Sequence, residues 1–185
     1  MTTDIHTLFD EDAIALRVAA LADEIAESKP RNLLVVAVLK GSFIFAADLL
    51  RAMHRAGLEP EVEFFHLSSY GAGTEGSENI RILRDVESDV NGRDILLVDD
   101  ILESGRTLAF ARESLLSRDA RSVKIAALLD KPERRKAAIS ADYVGFTCPD
   151  KFVVGYGMDM GHAWRQLPYI GYVAPDAAAD GKTGE

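Results

Sequence analysis

Leu96-Leu97-Val98-Asp99-Asp100-Ile101-Leu102-Glu103-Ser104-Gly105-Arg106-Thr107 is the stretch that decides the fold. Three apolar residues drive a strand into a core, and two adjacent carboxylates follow where such a strand emerges at the carboxyl edge of a sheet. Ligands of open α/β sheets bind at that edge. Ser104, Gly105 and Thr107 then lead into a helix bearing Leu108, Ala111 and Leu115. Backbone N–H groups and hydroxyls therefore converge at a positive helix terminus, which suits a phosphate monoester. Acids beside a phosphate cradle would repel the phosphate unless they serve hydroxyl groups or a metal. A ribose 5-phosphate with a magnesium-bound pyrophosphate meets both needs. The competing reading is that Asp99 and Asp100 only cap the loop and Ser104 only caps the helix. Acids, a third carboxylate, a small-residue loop and a helix in this order favour the functional reading.

Outward from this segment the chain alternates between strands and helices. Ile14, Val18, Leu21 and Ile25 recur at helical spacing, so residues 11–28 form an amphipathic helix that Lys29-Pro30 ends. The continuous apolar run 33–39 reads as a strand buried on both faces, as parallel sheets require. Ser42 is placed to cap the next helix, whose Phe43, Ala47, Leu50 and Met53 share a face and which Gly57 stops. A strand at 61–67, a polar glycine-containing stretch, a strand at 94–99, a helix at 106–117 and a strand at 123–129 follow. The pattern predicts an α/β fold with a mostly parallel sheet flanked by helices. Residues 141–146, 152–156 and 168–173 read as further short strands, forming a compact extra layer near the sheet edge. Residues 1–175 are expected to form a single domain, and 176–185, without apolar periodicity, a disordered tail.

Composition narrows the partners. With 185 residues, 48% hydrophobic and 28% charged, there is material for one well-buried core. The formal net charge of −9 opposes nucleic acid and anionic membrane surfaces, both of which need a positive field. Met1 to Asp12 carries acids and no basic n-region, and the run 33–39 is far too short to span a bilayer, so a cytoplasmic protein is expected. The single cysteine, Cys148, excludes an intramolecular disulfide and reads as a buried thiol.

Two motifs mislead. Gly71, Gly73 and Gly76 spell the dinucleotide-binding pattern, but that fingerprint needs a helix opening at its third glycine, whereas Ile80 and Ile82 alternate with polar residues as in a strand or loop. Gly181-Lys182-Thr183 imitates the end of a phosphate-binding P-loop, with Asp176 where glycine is required.

The segment Asp99 to Thr107 after an apolar strand resembles the phosphoribosyl pyrophosphate motif of type I phosphoribosyltransferases. Leu39-Lys40-Gly41-Ser42, Ser68-Ser69-Tyr70-Gly71, Leu128-Leu129-Asp130-Lys131 and Pro149-Asp150-Lys151-Phe152-Val153-Val154-Gly155-Tyr156 are similar, in order, to the hypoxanthine-guanine branch. The resemblance implies the type I phosphoribosyltransferase fold, with a small hood and a mobile lid loop. It also implies a purine salvage enzyme that transfers a phosphoribosyl group from phosphoribosyl pyrophosphate to a 6-oxopurine base, with Mg2+, as a homodimer or homotetramer. The alternatives are the same reaction with xanthine or another base preferred, or a non-catalytic nucleotide-sensing regulator on this fold. Retention of Lys40, Asp99, Asp100, Glu103 and Arg165 argues against the regulator.

Residue by residue, the resemblance gives Asp99 and Asp100 the ribose hydroxyls and magnesium, and Ser104, Gly105, Arg106 and Thr107 the 5-phosphate. Lys40-Gly41 takes the pyrophosphate loop, where the family carries a non-proline cis peptide; by itself Lys40 would read as a solvated strand-end lysine. Phe152 stacks on the purine while Val153 and Asp159 read its edge; taken alone, Phe152 would pass as core. Lys131 donates to the 6-oxo group, which an adenine amino group would not accept. Asp159 helps to position a second magnesium and Arg165 neutralises pyrophosphate; either would otherwise be half of a surface ion pair. Ser69 and Tyr70 close over the substrate with a lid at 71–84, a stretch that composition alone cannot separate from a flexible hairpin loop. Glu103 is the proton acceptor at the purine's imidazole edge. Two positions depart from the branch, which commonly has Glu-Asp for Asp99-Asp100 and Asp for Glu103. The second change lengthens the acceptor by one methylene.

Overall fold

The computed structural model describes residues 4–70 and 79–173, with Ser69, Tyr70 and Asn79 described by backbone alone. Its elements are β1 (Ile5–Phe9), α1 (Glu11–Glu27), β2 (Leu34–Leu39), α2 (Phe43–Arg55), β3 (Glu61–Tyr70), β4 (Asn79–Arg84), β5 (Asp94–Leu102), α3 (Arg106–Leu116), β6 (Ser122–Asp130), a 3-10 turn (Pro132–Arg134), β7 (Tyr143–Thr147), β8 (Val153–Val154) and β9 (Ile170–Val173). The main sheet runs β4-β3-β2-β5-β6-β7. All its neighbours pair in parallel except β3 and β4.

The apolar runs of β2 and β5 are explained by their central position. Leu34 to Val38 and Ile95 to Val98 are buried, and the pleat sends alternate residues to opposite faces. Val35, Ala37, Leu96 and Val98 pack with α1 and α2, whereas Val36, Val38, Ile95 and Leu97 pack with α3. The stripe Ile14, Val18, Leu21 and Ile25 is the buried face of α1. Asp10 caps that helix, accepting the Ala13 N–H at 2.8 Å. Gly57, at φ +85°, ends α2 with the Leu58 N–H turned back to the Met53 carbonyl at 2.9 Å.

Four expectations are corrected. Ser42 does not cap α2 through its side chain; its hydroxyl donates back to the Val38 carbonyl at 2.6 Å, which the tight turn between β2 and α2 brings within reach. β5 continues past residue 99 to Leu102, because β6 extends alongside it and offers ladder partners as far as Asp130. Residues 143–147 do not join an extra layer but close the main sheet beside β6. The extra layer is instead a three-stranded antiparallel sheet, β1-β9-β8, in which Ile5 pairs with Val173. β1 was not anticipated, since His6 and Thr7 are exposed and interrupt the partly buried Ile5, Leu8 and Phe9, so that no apolar run forms. Ile80 and Ile82 do lie on a strand, β4, and Cys148 is buried. Residues 71–78 of the expected lid and the expected tail 176–185 lie outside the described residues. No helix among the described residues is long and apolar enough to cross a membrane.

Candidate active site

Three parallel strands end side by side, and each delivers a different chemistry to the same edge. β2 ends at Lys40-Gly41, β5 carries Asp99 and Asp100 and runs on to Glu103, and β6 ends at Asp130-Lys131. Two cavities open there. One, of about 320 Å³, is lined by Lys40, Gly41, Asp99, Asp100, Ser104 and Thr107 among others. The other, of about 290 Å³, is lined by Lys131, Arg134, Phe152, Val153, Met158 and Asp159 among others. Asp100, Ile101 and Glu103 belong to both and form the wall between them.

The first cavity has the character of an anion and sugar site. Gly105 adopts the left-handed conformation, φ +80°, at the N-terminus of α3, which turns the chain so that residues 104–107 curl around the helix end. The Arg106 N–H donates to the Ser104 hydroxyl at 3.4 Å. The non-proline cis peptide lies at Leu39–Lys40, the bond entering the lysine, rather than at Lys40–Gly41. Gly41 packs so closely on the Asp100 carboxyl that a Cβ at this position would overlap it.

Asp99 is 8% exposed and Asp100 is half-buried. Burial drives the Asp99 carboxyl well above the usual carboxylate range, and the neighbouring Asp100 charge adds to the effect. Burial raises Asp100 as well, against the hydrogen bond from Asp99 and the positive field of Arg165. The Asp100 N–H donates to Asp99 Oδ1 at 3.0 Å. Two carboxylates held this way are short of donors, so ribose hydroxyls or a hard cation would relieve them.

The second cavity has a flat, mixed wall. Phe152 is 56% exposed at its rim, while Val153 is buried beneath it. Lys131 is buried, with Nζ donating to the Lys151 carbonyl at 2.8 Å and standing 3.8 Å from Glu103 Oε1. A buried ammonium aimed into a cavity is not the solvated lysine that the sequence alone allows. Asp159 and Arg165 pair at 2.5 Å, and the Asp159 carboxylate also accepts the His162 N–H at 2.8 Å. Arg165 donates in addition to the Gly157 carbonyl at 2.6 Å.

The structure thus gathers Lys40, Gly41, Asp99, Asp100, Glu103, Ser104, Gly105 and Thr107 on one side, and Lys131, Phe152, Val153 and Asp159 on the other. Asp159 does not join Asp99 and Asp100 in a metal cluster: among the described residues no group of three or more His, Cys, Asp or Glu side chains is placed to hold a metal ion. Ser69 and Tyr70 reach the end of β3, paired with Ile80 and Asn79 of β4. Sequence reasoning missed Arg135, which clamps the loop after β5 by donating to the Glu103 carbonyl at 3.1 Å and pairing with Asp130. It also missed Arg134, which bridges Glu103 and Asp150. Adjacent arginines after a proline read as solvated charge; the 3-10 turn folds Arg135 inward and leaves Arg134 at the cavity rim.

Comparison with known proteins agrees with this geometry. The phosphoribosyl transferase domain model matches residues 4–160. The hypoxanthine phosphoribosyltransferase of Escherichia coli (strain K12) is 40% identical over 176 residues, covering 94% of this chain and 97% of that protein. The bifunctional protein TilS/HprT of Listeria innocua is 46% identical over 178 residues, 95% of this chain, which spans only 27% of that relative's length. Among solved structures, a Staphylococcus aureus hypoxanthine phosphoribosyltransferase superposes with a TM-score of 0.87 at 39% identity, covering 95% of this chain and 94% of that one. A Trypanosoma cruzi hypoxanthine phosphoribosyl transferase, studied for the role of its C-terminal region in oligomeric state and activity, gives 0.89 at 36% identity over 95% and 94%. A paired-acid strand edge opening onto a glycine-turned helix terminus, over the length matched by these proteins, places the chain in the phosphoribosyltransferase family, in its hypoxanthine phosphoribosyltransferase branch.

Proposed function

We propose that this chain is a purine salvage enzyme that transfers the 5-phosphoribosyl group of phosphoribosyl pyrophosphate to N9 of hypoxanthine or guanine, releasing pyrophosphate. The observation that carries this reading is the shared wall: Asp100 and Glu103 separate a polar, helix-capped cavity from one bounded by Phe152 and Lys131. A sugar bound in the first and a base in the second would meet at that wall, so the new glycosidic bond forms beside Asp100.

In this reading Asp99 and Asp100 accept from the ribose hydroxyls, residues 104–107 hold the 5-phosphate, and Lys40-Gly41 with Arg165 hold the pyrophosphate. Phe152 stacks on the purine, Lys131 donates to its 6-oxo group, and Val153 and Asp159 read its edge. Glu103 takes the N7 proton as N9 attacks. Ser69 and Tyr70, at the end of β3 that leads to residues 71–78, close over the reacting centre. The acids also suit Mg2+, which keeps several waters and binds through one or two carboxylates plus substrate phosphates. Bound there, the ion would neutralise the departing pyrophosphate. We further propose that the enzyme acts in the cytoplasm as a homodimer or homotetramer, as the family resemblance implies.

Incubating the purified chain with phosphoribosyl pyrophosphate, Mg2+ and each of hypoxanthine, guanine, xanthine and adenine tests the proposal. Mononucleotide and pyrophosphate should form with hypoxanthine and guanine and scarcely with adenine. Adenine turnover equal to or above that of hypoxanthine would refute it. Lys131→Ala should raise KM for hypoxanthine by roughly tenfold or more, as expected when a buried hydrogen bond to substrate is lost, and leave KM for phosphoribosyl pyrophosphate within about twofold.

A further inference from the structure

Glu103 does not stand free at the cavity wall. Its Oε1 lies 3.5 Å from Arg134 Nη1 and 3.8 Å from Lys131 Nζ, so two cations compete for one carboxylate oxygen. Arg134 is itself fixed from the other side. Asp150 receives it in a fork, Nε to Oδ1 at 2.5 Å and Nη2 to Oδ2 at 3.0 Å. Asp150 lies two residues before Phe152, on the segment whose Lys151 carbonyl anchors Lys131. All of these groups line the second cavity, and Arg134 and Lys131 both tie Glu103 to the segment 150–151 across it.

We propose that Arg134 is a positioning residue for the transfer reaction: held by Asp150 at the rim of the base cavity, it competes with Lys131 for the Glu103 carboxylate and keeps that carboxylate from closing onto the ammonium. This rests on the proposed function. A glutamate has one more rotatable bond than an aspartate and loses more freedom when held in place. Without Arg134 the nearest cation left for Glu103 is Lys131. Collapse onto it would cost twice, removing the proton acceptor from the purine's N7 and occupying the ammonium that should donate to the 6-oxo group. A fork-held guanidinium prevents this because its direction is set by Asp150 and not by Glu103.

The pair Arg134–Glu103 is largely solvent-exposed, with side-chain exposures of 54% and 42%, and such pairs contribute little to stability. Arg134→Ala should therefore leave the melting temperature nearly unchanged. It should lower kcat by about 5- to 20-fold and raise KM for hypoxanthine by a few-fold, with KM for phosphoribosyl pyrophosphate within about twofold, because misplaced catalytic groups act on the reacting base and not on the distant phosphate. Arg134→Lys, which keeps a charge but not the fork, should recover part of the loss. The decisive measurement is a double-mutant cycle: in a Glu103→Gln background, Arg134→Ala should produce no further fall in kcat. A full additional loss there would show that Arg134 acts independently of Glu103 and overturn the inference, as would wild-type kinetics in the single variant. Either result leaves the proposed function standing. Absence of turnover by the unsubstituted enzyme would remove the proposed function and the inference together.

Discussion

Asp99→Asn should stabilise the unliganded protein. The carboxyl is buried beside a second acid, accepts one backbone N–H and finds no cation within ion-pair distance among the described residues. Because its folded-state pKa is raised, first by burial and then by Asp100, the folded protein holds this proton more tightly than the unfolded chain. The stability it contributes is complete below the unfolded carboxylate range and is lost as pH rises through the higher folded value, so the penalty carried by the fold grows toward alkaline pH. An asparagine keeps an oxygen for the Asp100 N–H and can donate to the Asp100 carboxylate, which turns a repulsion into a hydrogen bond. Relief of an under-satisfied buried polar group amounts to about 1–3 kcal/mol. For a chain of this length that corresponds to roughly 3–10 °C in melting temperature. Thermal unfolding of both proteins between pH 5 and 8.5, without substrate or Mg2+, is the assay. The gain should be largest at the alkaline end and shrink toward pH 5. If Asp99→Asn melts at or below the wild-type temperature at pH 8, or if the two proteins keep a constant gap across the range, the pair is not strained and the reasoning is wrong.

At the opposite end of the sheet Asp94 should behave in the contrary way. Burial pushes its carboxyl up, but the Arg31 N–H at 2.7 Å, the Ser122 hydroxyl at 2.6 Å and Arg121 together outweigh it and lower the pKa. Its stabilisation is present above the unfolded carboxylate range and lost as pH falls through the folded value. Asp94→Asn should thus cost about 2–3 kcal/mol at pH 7 by urea unfolding, with a smaller difference at pH 4; equal stabilities at pH 7 would refute this. Gly41→Ala would force the Asp100 carboxyl from its place and should lower kcat/KM for phosphoribosyl pyrophosphate by about 10²-fold, the scale of an ångström-sized misplacement, whereas a loss under threefold would show that the close packing is not needed.

The elements most legible in the sequence were those whose burial leaves a periodic mark. Ile14, Val18, Leu21 and Ile25 repeat at helical spacing because one face of α1 meets the sheet, and Leu34 to Val38 are continuously apolar because β2 has neighbours on both sides and cores on both faces. β1 left no such mark, since its pairing with β9 is supplied by backbone atoms and the exposed His6 and Thr7 break the run of its partly buried residues. The strand expected at 141–146 forms at Tyr143–Thr147 but in the main sheet, because apolar content reports burial and not which sheet provides it. The site divides in the same way. Asp99 to Thr107 is contiguous, so its order along the chain is nearly its order in space. Arg134, Arg135 and Asp150 matter through a turn and a loop that bring separated residues into contact, and no local pattern encodes that meeting.

The acids and the glycine beside them form one design. Gly41 brings the backbone of the β2 loop against Asp100, and Gly157 brings the turn before Asp159 against the Gly41 carbonyl, where a Cβ would overlap it. Each close approach removes water from around carboxylates that would otherwise be solvated, which is why burial leads the causes of both raised pKa values. A dry, electron-rich wall gains little from self-association with the rest of the fold. It does gain from a ligand that brings its own donors and cationic charge. In the proposed reaction ribose hydroxyls would supply the former and a developing oxocarbenium-like centre the latter, and the second of these would exist only as the bond to pyrophosphate breaks. Stabilisation that is withheld from the empty protein and granted most fully at that moment acts on rate as well as on binding. The instability expected of the Asp99–Asp100 pair in the unliganded protein is therefore the counterpart of the catalytic use proposed for it.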